Sequence, residues 1–160
     1  MRIGITGHQY LEDSDRWDWV KIEMNELLMK MRRPLVGITC LAAGADSLFA
    51  ELILQQGGSL EAVVPFPEYE KVFPAQQRNR YRALLGAASA ITVLEKRRSK
   101  QESYCAAGKK VVDVTDLLLA VWDGKPARGL GGTADIVEYA RQELKRVIRL
   151  DPISRSVTEC

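Results

Sequence analysis

Short apolar runs recur along the chain, and they predict strands. None of them alternates cleanly between apolar and polar positions, and a continuous apolar run is typical of a strand buried on both faces, as in a parallel sheet. The runs are rich in the β-branched and aliphatic residues that strands favour. The predicted strands lie at residues 2–6, 35–41, 60–65, 90–94, 117–122 and 146–150.

Apolar residues at helical spacing fill the intervals between these runs. The clearest stripe predicts a helix that Asp13 or Ser14 caps at its start and that residues 32–34 end with basic charge and a proline. Its apolar positions are Trp17, Val20, Met24, Leu27, Leu28 and Met31. The same reasoning predicts helices at 46–56, 74–88, 101–115 (interrupted by Gly108) and 133–144.

Alternating strands and helices form right-handed βαβ units, which build an open parallel sheet with helices on both faces. We therefore predict an α/β fold, a three-layer sandwich whose mostly parallel sheet has about six strands. A chain of 160 residues has the length of one domain. We assign residues 1–152 to that domain and residues 153–160 to a polar C-terminal tail.

The composition argues against several classes of binding partner. The 23 basic and 21 acidic residues leave a net charge of +2, which argues against a nucleic-acid partner. No apolar run is long enough to span a bilayer and the first residues lack a signal peptide, so we expect no membrane partner. Three widely spaced cysteines argue against disulfides or structural zinc and favour a reducing cytoplasm. The one histidine excludes a multi-histidine metal site, and we expect no required metal or cofactor.

Ligands of such a sheet bind beyond the carboxyl ends of the strands, at the switch in strand order. After the first strand, Gly7 permits a tight turn, and His8 either contacts a ligand, acts as an acid or base, or finds a backbone partner in the turn. After the second strand, Gly44 and Ala45 leave the backbone at a helix start open to a phosphate. The next residue, Asp46, either accepts from ribose hydroxyls or caps that helix.

Aromatic and basic side chains follow the third strand. Phe66 or Tyr69 either stacks on a base or packs within its loop. Near the start of the helix at 74–88, Arg78 or Arg80 either clamps a phosphate with its guanidinium group or lies on a solvated helix face.

The densest signal follows the fifth strand, where a glycine-rich segment begins with Asp123 and Gly124 and opens a helix at Gly131, Gly132 and Thr133. Exposed amides, the positive end of the helix dipole and the lack of Cβ atoms make this segment a predicted phosphate cradle. It is neither a Walker A loop nor the glycine fingerprint that follows the first strand of dinucleotide-binding folds.

The order of these motifs resembles the SLOG superfamily, which includes DprA/Smf-like proteins and LOG-type phosphoribohydrolases. The resemblance covers about residues 1–150. It implies a Rossmann-like fold with a site for a nucleotide or nucleotide-derived ligand. The motifs that carry it are Gly7-His8, Gly44-Ala45-Asp46, residues 65–67, residues 120–124 and residues 131–134.

We expect a nucleotide to bind at the C-terminal edge of the sheet through the glycine-rich loops. An alternative is hydrolysis, or group transfer, at the N-glycosidic bond of a nucleoside monophosphate, with Asp123, Asp135 or Glu138 as the catalytic acid and His8 protonating the base. The enzymes of the superfamily carry the signature Pro-Gly-Gly-x-Gly-Thr-x-x-Glu, and this chain has Ile136 where the glutamate falls. A second alternative is an oligomeric interaction module, and in each case we expect a homo-oligomer.

Overall fold

Strands and helices alternate along the chain as the spacing of apolar runs predicts. The computed structural model describes residues 1–127 and 129–160, and in these residues the chain forms seven strands, five α-helices and one short 3-10 helix. In chain order they are β1 (Arg2–Gly7), α1 (Ser14–Lys30), β2 (Val36–Thr39), α2 (Ala45–Gln55), β3 (Ser59–Val64), the 3-10 helix (Tyr69–Val72), α3 (Ala75–Gly86), β4 (Ala90–Val93), α4 (Lys100–Asp113), β5 (Leu117–Val121), α5 (Thr133–Gln142), β6 (Arg146–Asp151) and β7 (Ser156–Glu159).

The strands form one sheet in the order β4-β3-β2-β1-β5-β6-β7. The strands β1 to β6 are parallel to one another, and β7 pairs antiparallel with β6. Strand β1 is the centre of the sheet, because the chain first builds outward to β4 and then crosses back to β5 on the other side of β1. The switch in strand order therefore lies between β1 and β5, where Gly7 pairs with Val121.

Strand β5 shows why its sequence is apolar throughout. All five of its residues are buried. Leu117, Leu119 and Val121 pack with α1 and α2 on one face of the sheet, and Leu118 and Ala120 pack with α4 and α5 on the other. The three-layer α/β sandwich predicted from the sequence is confirmed, and the six predicted strands are all present.

The last residues differ from the predicted polar tail. They form β7, whose register joins Ile148 to Glu159 and Asp151 to Ser156, and the Arg146 guanidinium pairs with the Glu159 carboxylate at 2.8 Å. The strand was missed because an edge strand that is exposed on one face needs few apolar residues, and Val157 is its one apolar residue.

The helix starts follow simple capping chemistry. The Asp13 side chain accepts from the N–H of Asp15, so it and not Ser14 caps α1. Helix α4 continues through Gly108, whose missing side chain leaves space that Ile136 of α5 fills. In the described ranges 1–127 and 129–160, no helix combines the length and apolar character that crossing a membrane requires.

Candidate functional site

An open cleft of about 710 Å³ lies at the C-terminal edge of the sheet, where β1 and β5 part. The end of β1 and the loop after it form one side, and the loop after β5 with the start of α5 forms the other. Of the residues predicted from the sequence, the cleft is lined by Gly7, His8, Asp46, Asp123, Gly131, Gly132 and Thr133. Arg128 of the glycine-rich segment lies outside the described residues.

His8 and Asp123 meet on the floor of the cleft. The backbone N–H of Asp123 donates to His8 Nε2 at 3.3 Å, and the same nitrogen lies 3.5 Å from Asp123 Oδ1. The Asp123 carboxylate also accepts from the N–H of Lys125 at 3.1 Å, which closes the turn after β5.

Two amide groups at the start of α5 face the cleft. The N–H groups of Thr133 and Ala134 belong to the first turn of the helix, and neither donates to another described residue. The N–H of Gly131 donates to Asp135 Oδ2 at 2.9 Å, so that amide is already paired within the protein. What remains open to a ligand is the pair of amides at 133 and 134 together with the Thr133 side chain.

Gly131 sets the position of this helix start. Its φ is +83°, and a Cβ there would lie 2.8 Å from the backbone nitrogen of Cys105 in α4. A side chain would therefore push the segment away from α4 and move the amides at the start of α5. The loop in which the sequence predicts a phosphate cradle is therefore held in place by direct packing of its backbone against α4.

The start of α2 is closed to an external anion, contrary to its predicted role. The buried Asp46 carboxylate accepts from Thr39 Oγ1 at 2.9 Å and from the N–H of Cys40 at 3.1 Å. The N–H of Ala45 donates to the carbonyl of His8 at 3.1 Å, and a Cβ at Gly44 would lie 2.5 Å from that same oxygen. Gly44 and Ala45 therefore serve the packing of α2 against the loop after β1.

Burial raises the pKa of Asp46 to about 6, although hydrogen bonds from Thr39 and Cys40 act in the opposite direction. Burial, with the Asp46 carboxylate nearby, also raises the pKa of the Cys40 thiol well above its usual value. Cys40 lines the cleft as a neutral thiol and not as a nucleophilic thiolate.

The two arginines of α3 do not reach the cleft. Arg78 donates to the carbonyls of Glu70 and Phe73, at 3.1 and 3.0 Å. Arg80 forms two hydrogen bonds with the Glu51 carboxylate of α2, at 2.6 and 2.9 Å. The rotation of α3 about its own axis turns both side chains toward partners within the protein. The spacing of residues along the sequence does not determine that rotation.

Three further candidates contribute no group to the cleft. Gly124 has φ of +81° and packs against the Arg149 guanidinium, which also lies 5.3 Å from the centre of the Trp122 ring. The Asp135 carboxylate accepts from Gly131, as described above, and Glu138 is exposed and pairs with Arg141 at 3.8 Å. Of the three acids considered for catalysis, Asp123 alone lines the cleft.

The sequence reasoning missed several side chains that the fold brings to the cleft, among them Glu12, Arg16 and Tyr104. Arg16 of α1 forms no ion pair with another described residue. None of the three directly follows a strand in sequence, which is why inspecting strand ends did not find them. Within residues 1–127 and 129–160, no group of three or more His, Cys, Asp or Glu side chains is placed to hold a metal ion.

No protein-family model matches the sequence, and no curated protein matches it at a significant level. Solved structures do match. DNA processing protein A (DprA) from Streptococcus pneumoniae is 19% identical, with a TM-score of 0.66 over 96% of this chain and 53% of that one. DprA from Helicobacter pylori, in a structure concerned with its single-stranded DNA binding, is 17% identical, with a TM-score of 0.66 over 94% of this chain and 65% of that one.

A third match is TM1055, a structural genomics target, which is 14% identical with a TM-score of 0.58 over 91% of this chain and 71% of that one. At these identities the matches show the fold alone, and it is the Rossmann-like fold that the resemblance to the SLOG superfamily implies. The likeness to DprA supports that resemblance. The chain spans between half and two thirds of the length of the DprA proteins.

Proposed function

We propose that the chain binds a nucleotide or nucleotide-derived ligand in the cleft, with a phosphate group at the start of α5. The observation that carries this proposal is the pair of N–H groups at Thr133 and Ala134, which donate to no described residue and belong to residues that line a cleft at the switch in strand order. Two N–H donors and the positive end of a helix dipole together form an anion site. The Thr133 hydroxyl adds a third donor.

Arg16 supplies the cationic side chain that we had expected from α3. It lines the same cleft, and its guanidinium group has no carboxylate partner among the described residues. A guanidinium group binds a phosphate through two parallel hydrogen bonds. Lys125, in the turn after β5, also lines the cleft, where its ammonium group lies 3.9 Å from the Asp123 carboxylate.

Thermal unfolding with a panel of ligands tests the proposal. The panel contains AMP, GMP, CMP, UMP, ADP-ribose, cyclic AMP and a single-stranded oligodeoxynucleotide. We expect at least one nucleotide to stabilise the protein by about 2.7 kcal/mol at a 100-fold excess over its dissociation constant. A folded protein that no member of the panel stabilises contradicts the proposal, and stabilisation by the oligodeoxynucleotide alone points instead to nucleic-acid binding.

Substitutions at Thr133 test the role of the amide itself. Thr133→Pro removes the N–H, and proline suits the first position of a helix. The preceding residue, Gly132, has φ of −69° and ψ of 171°, which is the extended geometry that precedes a proline. We expect Thr133→Pro to fold and to lose at least 10-fold in nucleotide affinity. Thr133→Val keeps the amide, and we expect a smaller loss.

Cleavage of the N-glycosidic bond is the second candidate function, and the geometry that favours it is the pairing of Asp123 with His8 on the floor of the cleft. Chromatography of nucleoside monophosphates incubated with the protein measures it directly as released base. If base is released, Asp123→Asn should abolish the release, whereas Glu138→Gln, on the exposed face of α5, should leave it unchanged. Intact nucleotides after prolonged incubation restrict the function to binding.

A further inference from the structure

We propose that the base of the bound nucleotide occupies a second pocket, next to the cleft, where the Tyr69 hydroxyl hydrogen-bonds it. This inference rests on the proposed function and extends it from the phosphate to the opposite end of the ligand. The second pocket measures about 300 Å³, and Gln9, Tyr69 and Tyr104 line both it and the cleft, so the two spaces adjoin each other.

The two spaces differ in charge. The second pocket is lined, among the described residues, by aromatic, aliphatic and amide side chains and by no charged one. The cleft carries both signs of charge, with Arg16 and Lys125 as well as Glu12, Asp46 and Asp123, and it includes the residues at the start of α5 whose amides donate to no described residue. A phosphate is therefore favoured at α5, and an uncharged planar ring is favoured in the second pocket, where it can stack on aromatic side chains. The lining residues are Gln9, Ala43, Tyr69, Val72, Phe73, Pro74, Gln77 and Tyr104.

Tyr69 carries the specific observation. The residue is 4% exposed, and its ring is held edge-on by Phe73 at 4.9 Å and by Phe66 and Tyr81 at 5.6 Å. Its hydroxyl forms no hydrogen bond with any described residue. Among the described residues, no side-chain oxygen or nitrogen is both sealed from solvent and unpartnered, so this hydroxyl is accessible, and Tyr69 lines both the cleft and the second pocket.

The chemistry of the Tyr69 hydroxyl suits a base. Burial, and the neighbouring Cys40 and Asp46, raise the pKa of Tyr69 well above its usual value, so the hydroxyl stays protonated and can donate as well as accept. Gln77 lies in the same pocket and donates from Nε2 to Ser47 Oγ at 3.1 Å, which leaves its carbonyl oxygen to accept. A donor–acceptor hydroxyl and an amide carbonyl beside aromatic rings are groups that recognise the polar edge of a nucleobase.

The test compares AMP, GMP, CMP and UMP with ribose 5-phosphate by calorimetry. Ribose 5-phosphate keeps the sugar and phosphate and lacks the base. We expect at least one of the four nucleotides to bind 10-fold or more tightly than ribose 5-phosphate. Tyr69→Phe keeps the ring and removes the hydroxyl, and we expect it to weaken that nucleotide about 5-fold while leaving ribose 5-phosphate unchanged.

A matched control is Tyr139→Phe, which removes a hydroxyl that donates to Asp113 at 2.8 Å, outside both spaces. We expect it to leave all five affinities unchanged. Ribose 5-phosphate that binds as tightly as all four nucleotides, or a Tyr69→Phe effect that is equal for both kinds of probe or absent, overturns the base pocket and leaves the phosphate site standing. Failure of all five probes to bind overturns both proposals.

Discussion

The Asp46 carboxylate is buried at the start of α2. It accepts hydrogen bonds from Thr39 and from the N–H of Cys40, so its partners lie within the protein. At the start of α5 the acidic residue, Asp135, accepts from Gly131, and the amides at 133 and 134 donate to no described residue. The two strand-to-helix corners therefore differ in where the carboxylate takes its hydrogen bonds.

The pKa of Asp46 gives the protein a pH dependence of stability. Its native pKa is about 6 and its ordinary value is 3.8, so between these values the unfolded chain ionises while the native protein stays protonated. The native state is therefore favoured by this group below about pH 4, and that contribution is lost as the pH rises through 6. The loss amounts to about 3 kcal/mol in the free energy of unfolding.

Asp46→Asn isolates this effect. The amide has no charge to lose, so we expect the difference in free energy of unfolding between Asp46→Asn and the native protein to shift by about 3 kcal/mol in favour of the variant between pH 4 and 7. Urea unfolding at several pH values measures it, and other acidic groups cancel in the difference. A difference that stays constant with pH would show that Asp46 is ionised throughout.

A comparison of Gly44 and Gly57 distinguishes the energetic cost of backbone strain from that of close packing. Both have positive φ, +78° and +74°, but a Cβ at Gly44 would lie 2.5 Å from the His8 carbonyl oxygen, whereas a Cβ at Gly57 would meet nothing within 4 Å. We expect Gly57→Ala to cost about 1 kcal/mol and Gly44→Ala about 2 kcal/mol more, measured by urea unfolding. Equal costs for the two variants would show that the packing at Gly44 relaxes freely.

Which predicted residues the fold brings to the cleft depends on strand direction and on the rotation of each helix about its axis. His8 and Asp123 directly follow β1 and β5, so strand direction alone brings them to one edge. Arg78 and Arg80 lie within α3, and their partners Glu70 and Glu51 belong to other elements. A sequence gives the spacing of such residues but not the tertiary contacts that turn them.

The contact between α4 and α5 sets the position of the start of α5. A Cβ at Gly108 of α4 would lie 2.6 Å from Cδ1 of Ile136 in α5. Ile136 stands where the signature of the enzymes that the sequence resembles has a glutamate, and in this chain that position serves helix packing. The gap in the helical pattern at residue 108 is therefore a point of close approach and not a break.

A double-mutant cycle tests this contact. We expect Gly108→Ala to lower the free energy of unfolding by about 1–3 kcal/mol because the new methyl group overpacks the contact. With Ile136→Ala in the same chain the space is free, so we expect the double variant to be less destabilised than the sum of the single variants. Gly86→Ala in α3 is the control, because a Cβ there meets nothing within 4 Å and alanine favours a helix. If the two changes in the free energy of unfolding simply add, the two positions are not coupled, and α5 moves away from α4 at no cost in free energy.

Most elements could be predicted because a strand in the middle of a parallel sheet must be apolar on both faces, and β5 is the clearest case. The element that escaped prediction, β7, is stabilised by pairing with β6 and not by its own side chains. Its backbone hydrogen bonds leave no pattern in the sequence.

At the scale of the whole molecule, β4 is an exposed edge. Its sequence predicts a buried strand, yet Ile91 is 49% and Val93 53% exposed, and β4 pairs only with β3 among the described strands. Two copies that join through the same edge strand are related by a two-fold axis, so the strands pair antiparallel and extend the sheet across both molecules. We expect the homo-oligomer suggested by the sequence to form in this way.

Light scattering coupled to size-exclusion chromatography tests the β4 contact. We expect the native protein to be a dimer and Ile91→Lys to be a monomer, because a lysine on an edge strand opposes its pairing with a second strand. Ile22→Lys, at a 58% exposed position of α1, is the matched control and should remain a dimer. A native monomer, or a dimeric Ile91→Lys variant, contradicts this contact.

The reversed direction of β7 has a practical consequence. Because β7 runs against its neighbours, its last residue returns to the level where the parallel strands start, and the N–H of Cys160 donates to the carbonyl of Val147 near the beginning of β6. The amino group of Met1 lies at the same level, on the carbonyl of Pro34 just before β2. An affinity tag or fluorophore attached at residue 1 or residue 160 therefore starts at the opposite edge of the sheet from the cleft, and immobilisation for binding measurements leaves that cleft facing solution.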